Sequence, residues 1–256
     1  MKLKHFPFYL SHQIQLFWLK LRQGSALPKI HVVGDSHASF CFTNVIPVGV
    51  KREHSVYTLP LPDQSSGKGF RKLACCIHWM GPMTMFRVGR DQLRAVHLRQ
   101  MGVREKDITV FVFGEIDVRC HIEKQSQLQN RSMEAVVEDL IKAYLAAILR
   151  NKALFKQLQC VVCTVVPPTD KAFNVKFPFY GALDTRISLT KHLNAVLRQQ
   201  CAAYGLPVLD LYTPHCTAHG DLRYECSDGG VHIASHFNGP IKAKLINLLA
   251  STSMMC

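Results

Sequence analysis

The apolar positions of the chain fall into short continuous runs separated by helical repeats. Lys29–Val33 carries Ile30, His31, Val32 and Val33 and ends at Gly34. Asp107–Phe113 is apolar from Ile108 onward except at Thr109, and it also meets a glycine, Gly114. Gln159–Val166 stops at Pro167 and Pro168, and Leu206–Tyr212 is a fourth run. Continuous rather than alternating runs mark strands covered on both faces, as in parallel sheets. Between them, Met133, Val136, Val137, Leu140, Ile141, Tyr144, Leu145 and Ile148 repeat at i, i+3, i+4, i+7. Asn130 or Ser132 is the expected cap, and Glu134, Glu138 and Asp139 lie near the positive end of that helix. Leu189, Leu193, Val196 and Leu197 predict a second helix ended by Gly205, and Ser235 to Ala250 a last one. The alternation predicts an α/β fold, a three-layer sandwich with a central parallel sheet flanked by helices.

Residues 1–28 read as an N-terminal amphipathic helical extension, with one domain over 29–256. Phe6, Phe8, Leu10, Ile14, Phe17, Trp18 and Leu21 show rough helical spacing with basic flanks. Such a stripe packs on the domain or lies in a membrane interface, and the first reading is preferred because aromatic stripes are usually core. Pro60–Gly69 reads as a flexible loop. No internal repeat is visible.

Composition narrows the class. Hydrophobic residues are 48% of the 256, enough for a core and against wholesale disorder. The net charge of +13 suggests an anionic partner or a solvated basic surface. Arg87, Arg90, Arg94 and Arg99 concentrate part of it, but no nucleic-acid motif accompanies them, so no specific nucleic-acid partner is expected. The ten cysteines do not suggest a disulfide framework in a chain of this length without a convincing secretory signal. No run approaches the length of a membrane span. The expectation is a cytoplasmic protein with buried free thiols.

Ligands of open parallel sheets sit beyond the carboxyl ends of the strands. Gly34-Asp35-Ser36-His37 follows the first run, Gly114-Glu115-Ile116-Asp117-Val118-Arg119 the second, and Asp228-Gly229-Gly230-Val231-His232 precedes the last helix. A serine in a tight strand-to-helix turn exposes its hydroxyl at the sheet edge, where backbone N–H groups can hold an oxyanion. It needs a base, for which His232 is the best candidate, with Asp228 close by in sequence to orient it.

These three blocks resemble the SGNH/GDSL hydrolase superfamily. The resemblance covers the chain from about Lys29 to the end. It implies Ser36 as nucleophile, His232 as base, Asp228 as acid, and no cofactor or metal. Three departures stand out. Asp228 and His232 are four apart where the family usually has three. Either the extra glycine absorbs this, or Asp228 falls short of the imidazole and Asp221 is a weaker substitute. Ile116 occupies the place of the family's oxyanion asparagine and has no side-chain donor. Arg119 is the proposed substitute. The family's glycine amide is assigned to Gly81.

Glu115, Asp117 and Arg119 would share one face if the backbone were extended, as a substrate-binding set or an ion-pair network. Gly-Glu-Ile-Asp-x-Arg segments also resemble those of uncharacterised SGNH-like proteins near bacterial polysaccharide genes, which leans the substrate towards glycans. His37 is expected to contact substrate or to be a satisfied histidine. Cys160 and Cys163 lie three apart in a predicted strand and point to opposite faces, so both read as buried thiols, as do Cys75 and Cys76. His215, Cys216, His219 and Cys226 match no standard zinc spacing and read as a loop over the site.

The expected function is a serine esterase removing O-acyl groups, acetyl foremost, from a carbohydrate or related ester. Acyl transfer uses the same intermediate. A non-catalytic or acyl-transferring accessory protein on a degenerate scaffold is the rival. Peripheral membrane contact through the N-terminal helix is a third possibility.

Overall fold

The computed structural model describes residues 29–41, 52–62, 70–171 and 179–253. The expected N-terminal extension, and the part of the expected loop beyond Pro62 up to Gly69, lie outside the described residues. The strands are β1 (Lys29–Gly34), β2 (Arg52–Pro62), β3 (Phe70–Trp79), β4 (Ile108–Val112), β5 (Gln159–Cys163) and β6 (Val208–Leu209). The main helices are α1 (Met85–Asp91), α2 (Glu115–Cys120), α3 (Ile122–Gln129), α4 (Met133–Lys152), α5 (Leu183–Ala203) and α6 (Asn238–Ser253).

One sheet runs in the order β2-β3-β1-β4-β5-β6. The strands from β3 to β6 are mutually parallel, and β2 joins β3 antiparallel at the edge. The sequence runs locate β1, β4, β5 and β6. They do not reveal the pair β2 and β3, and Pro60–Pro62 belongs to β2 rather than to a loop. The physical reason is compositional. β2, REHSVYTLPLP, opens on Arg52, Glu53 and His54 and carries Pro60 and Pro62 at its end. Proline is tolerated there because an edge strand leaves N–H groups unneeded by a neighbour. β3 opens on Phe70, Arg71 and Lys72 and continues as Cys75, Cys76, Ile77 and His78, not as a run of branched aliphatics.

Both sheet faces are covered, which is why the inner runs do not alternate. Val33, Phe111, Cys160 and Val162 pack into one core with Met85 and Val88 of α1, Ile141, Tyr144 and Leu145 of α4 and Leu193 of α5. Ile30, Val32, Val110, Val161 and Cys163 pack on the other side with Phe40 and with Ile241, Leu245 and Leu249 of α6. Cys160 and Cys163 thus enter opposite cores, and burial pushes the Cys160 thiol up to about 12 and Cys163 higher still. Ser132 is the cap of α4, its Oγ accepting from the Ala135 N–H at 3.2 Å. Among the described residues no helix is long and apolar enough to cross a membrane.

One buried side chain ties a helix to the strand end that borders the site. Asn194 of α5 accepts from the Val165 N–H at 2.8 Å and donates to the Val165 carbonyl at 2.9 Å. Both backbone groups follow β5, where the sheet ladder has ended, so the amide completes them. Asn194→Ala strands both, and each unpaired buried group costs roughly 1–3 kcal/mol. Urea unfolding of that variant is expected to lose at least ~2 kcal/mol relative to wild type.

Candidate active site

β1 is flanked by β3 on one side and β4 on the other, so the chain order reverses beside it. The crevice beyond the carboxyl ends of β1 and β4 is a topological switch point. Ser36 opens a short 3-10 turn, Ser36–Cys41, immediately after β1 and Asp35. The Asp35 N–H donates to the Val112 carbonyl at 3.3 Å, which holds this turn against the end of β4.

The Asp228–His232 loop closes on itself. Ser227 and Ile233 form an antiparallel bridge, and the Asp228 N–H donates to the His232 carbonyl at 3.1 Å. Gly229 takes φ 94°, a left-handed conformation that a side chain would resist. The four-residue spacing is absorbed by this reversal. The His232 Nδ1–Asp228 Oδ2 distance is 3.1 Å, and the Asp228 Oδ1 accepts from the Gly230 N–H at 2.9 Å. On the other side of the ring, His232 Nε2 lies 2.8 Å from the Ser36 Oγ. Partial burial pushes the Asp228 carboxyl up, but the His232 hydrogen bond and the Gly230 N–H outweigh it and hold the group below its ordinary range. Asp221 lies elsewhere, bonded to the Thr217 hydroxyl.

His37 turns inward. Its ring nitrogens lie 3.1 Å from Asp35 Oδ1 and 3.1 Å from the Val231 carbonyl, and its backbone N–H also donates to Asp35 at 2.8 Å. Its ring centroid is 4.7 Å from that of His232. His37 therefore joins the serine turn to the His232 loop, with both nitrogens already engaged. Burial acts first on this imidazole and favours the neutral ring. The Asp35 charge and hydrogen bond, with smaller help from Glu115 and Val231, outweigh it and push the pKa up to about 9.

Gly114-Glu115-Ile116-Asp117-Val118-Arg119 is not extended. Gly114 takes φ 119°, and a Cβ there would lie 2.5 Å from Val165 Cγ2. The next six residues wind into α2. Helical spacing replaces strand spacing, so Glu115 and Arg119 meet as an i,i+4 pair and Asp117 leaves their face. Arg119 donates to Glu115 through Nε at 2.6 Å and Nη2 at 3.0 Å, with both side chains buried. Asp117 instead accepts from the N–H groups of Met85 and Phe86, at 2.7 and 3.2 Å, at the start of α1. Burial, with a smaller push from the Asp35 charge, raises its pKa to about 7 despite those amides. Ile116 is buried in α2.

Gly81 lies between β3 and α1, at φ 69°. The neighbouring Met80 N–H donates to the Gly34 carbonyl at 2.8 Å, which pins this turn beside the serine turn. A small cleft beside His232 is lined by His37, Phe40, Val166, Leu211, Ile233 and Ile241. A second opens next to it between Asp35, His37, Glu115 and Thr164. The sequence reading missed the roles of Asp35, the Val231 carbonyl and this apolar lining. Asp35 carried a signal, since an aspartate two residues before an N–H forms a local turn.

In the loop that precedes Asp228, the histidines and Cys216 bond separately. His215 is buried and bonds the Leu211 carbonyl at 2.9 Å, Cys216 contacts the Thr213 carbonyl, and His219 faces Asp184. In the basic stretch, Arg90 pairs with Asp91, and Arg99 stacks on Phe155 while donating to the Leu154 carbonyl.

No family model matches the sequence, and no curated protein matches it either. Solved structures do match in shape. A Bacteroides fragilis protein described as an acylhydrolase superposes with a TM-score of 0.51 at 16% identity, covering 91% of this chain and 95% of its own. A protein from Streptococcus pneumonia, described as a platelet activating factor, gives 0.50 at 13% identity over 95% of both chains. The chain shares the fold of these solved structures. Within that fold the serine turn, the Gly81 turn, α2 and the late histidine loop all gather at the switch point.

The His37 contacts set a pH window. Its folded pKa, about 9, lies above the ordinary 6.5. The Asp35–His37 pair therefore stabilises the fold fully below about pH 6.5, and the contribution fades as pH rises through about 9. The stability gap between wild type and His37→Gln, measured by denaturant unfolding, is expected to shrink across that window. A gap constant with pH contradicts the assignment.

Proposed function

We propose that the chain is a serine esterase that cleaves a short O-acyl ester, acetyl foremost, through an acyl-Ser36 intermediate. The observation that carries this reading is the continuous chain Asp228–His232–Ser36, with contacts of 3.1 and 2.8 Å. Ser36 Oγ attacks the ester carbonyl while His232 Nε2 takes its proton. His232 then returns the proton to the leaving alcohol. Water repeats the sequence and frees the acid. Asp228, held ionised, fixes the ring with Nδ1 protonated and offsets the imidazolium charge. The Ser36 and Gly81 amides supply the oxyanion donors in this reading. Arg119, engaged by Glu115, contributes at longer range rather than as a free donor.

The small apolar cleft at His232 supports a short acyl group. A carbohydrate alcohol is supported by the resemblance of the Gly114–Arg119 block to segments near polysaccharide genes, and the basic surface suits an acidic glycan. One observation favours the accessory-protein reading instead: Ile116 leaves the oxyanion without the usual side-chain donor.

Fluorophosphonate labelling separates the two. Wild type is expected to label and Ser36→Ala is not. Turnover of a small acetyl ester is expected to fall on the order of 10³–10⁴-fold in Asp228→Asn, since the amide would hold the wrong imidazole tautomer. No labelling and no turnover by folded wild type would favour the accessory reading.

A further inference from the structure

A second cluster of reactive side chains lies in the sheet, outside the triad. His31 on β1 pairs in register with Cys76 on β3, and His78 lies two residues further along β3. Paired residues and their i+2 neighbours share a sheet face. His31, Cys76 and His78 are all buried, and one donor atom from each lies within 4.8 Å of the others. His31 Nδ1 and His78 Nε2 are 2.9 Å apart.

Asp107 gives this cluster its direction. Its Oδ2 lies 3.1 Å from His31 Nε2. Both carboxylate oxygens are anchored by backbone, since the Lys29 and Arg104 N–H groups each donate to it at 2.8 Å. An ionised Asp107 takes the His31 Nε2 proton as its donor and leaves Nδ1 as a bare lone pair aimed at His78. A carboxylate behind an imidazole whose other nitrogen is bare is the outer-shell arrangement of metal-bound histidines. On β4, the register partner of His31 is Thr109, whose buried Oγ has no hydrogen-bond partner. On β2, the residue in register with Cys76 is His54. The row across four strands is thus His54, Cys76, His31, Thr109.

We propose that His31, Cys76 and His78 form a three-ligand site for zinc or a similar thiophilic divalent cation, with Asp107 orienting His31 and the fourth coordination position left to a non-protein ligand such as water. Two imidazoles and a thiolate suit that class, and donors on a tetrahedral zinc sit roughly 3.3–3.8 Å apart given bonds of about 2.0–2.3 Å. The two nitrogens open by a few tenths of an ångström to admit the ion. Binding releases the Cys76 thiol proton and moves the His78 proton from Nε2 to Nδ1, so one proton leaves per ion. The ion clamps β1 to β3 beneath the turn that carries Ser36, and it takes no part in the ester chemistry.

The test is metal content and cobalt substitution of the full-length protein. Wild type purified from zinc-supplemented cells is expected to carry about one ion per chain. Cobalt exchanged into the site is expected to show a thiolate-to-metal charge-transfer band that disappears in Cys76→Ser and persists in Cys163→Ser. If Cys76→Ser does not fold, His78→Gln carries the same test through loss of stoichiometric binding. Ser36→Ala is expected to bind the metal as wild type does, so this site stands or falls apart from the esterase reading. Substoichiometric metal with no charge-transfer band in folded wild type, or a band unchanged in the folded Cys76→Ser variant, overturns the proposal.

Discussion

The site depends on one chain of contacts, Asp35–His37–Val231, with both side chains buried. His37 and Val231 are 194 residues apart in sequence, yet a single imidazole joins the serine turn to the loop that carries His232. Because both side chains are buried, each partner is costly to remove: a stranded charge in a dry environment is far worse than an intact pair. Ser36 lies between Asp35 and His37 in the chain, so the same two side chains that hold the loop also shape the turn that carries Ser36. In the proposed esterase, a misplacement of the order of 1 Å between Ser36 and His232 is enough to lose most of the rate, so a fixed tie between the two loops matters more than any one surface contact.

Around that tie, backbone does much of what side chains do elsewhere. The Met80–Gly34 hydrogen bond sets the Gly81 turn beside Ser36 without any side chain reaching across. Asp117 organises the start of α1 through two amides, and Asn194 completes the backbone beyond β5. The Glu115–Arg119 pair sits at the same edge as a closed unit, which keeps a guanidinium buried by giving it a bidentate partner.

The parallel core was legible because burial on both faces leaves continuous apolar runs, as at Val110–Phe113 and Cys160–Val166. β3 was not legible: its inward face spends two positions on Cys76 and His78, which break the pattern that marks a buried strand. β2 was hidden for the opposite reason, since an edge tolerates the polar residues and prolines that read as loop. Ser36, Asp228 and His232 could be named from their blocks, but whether a four-residue spacing would let Asp228 reach the ring depended on the Gly229 reversal, which is a matter of backbone conformation. Strand periodicity places Asp117 on one face with Glu115 and Arg119, whereas Gly114 turns the chain into a helix that keeps the Glu115–Arg119 ion pair and moves Asp117 away. The inward turn of His37 depends on a carbonyl far along the chain, which no local pattern encodes.

The central claim is that Ser36 becomes covalently acylated. Intact-mass analysis with peptide mapping, after rapid quenching of the protein with a small activated acetyl ester, tests it directly. The account predicts a single acetyl adduct on the peptide containing Ser36, accumulating in His232→Ala less than in wild type. An adduct confined to other residues, or none in folded wild-type protein under turnover, would contradict it.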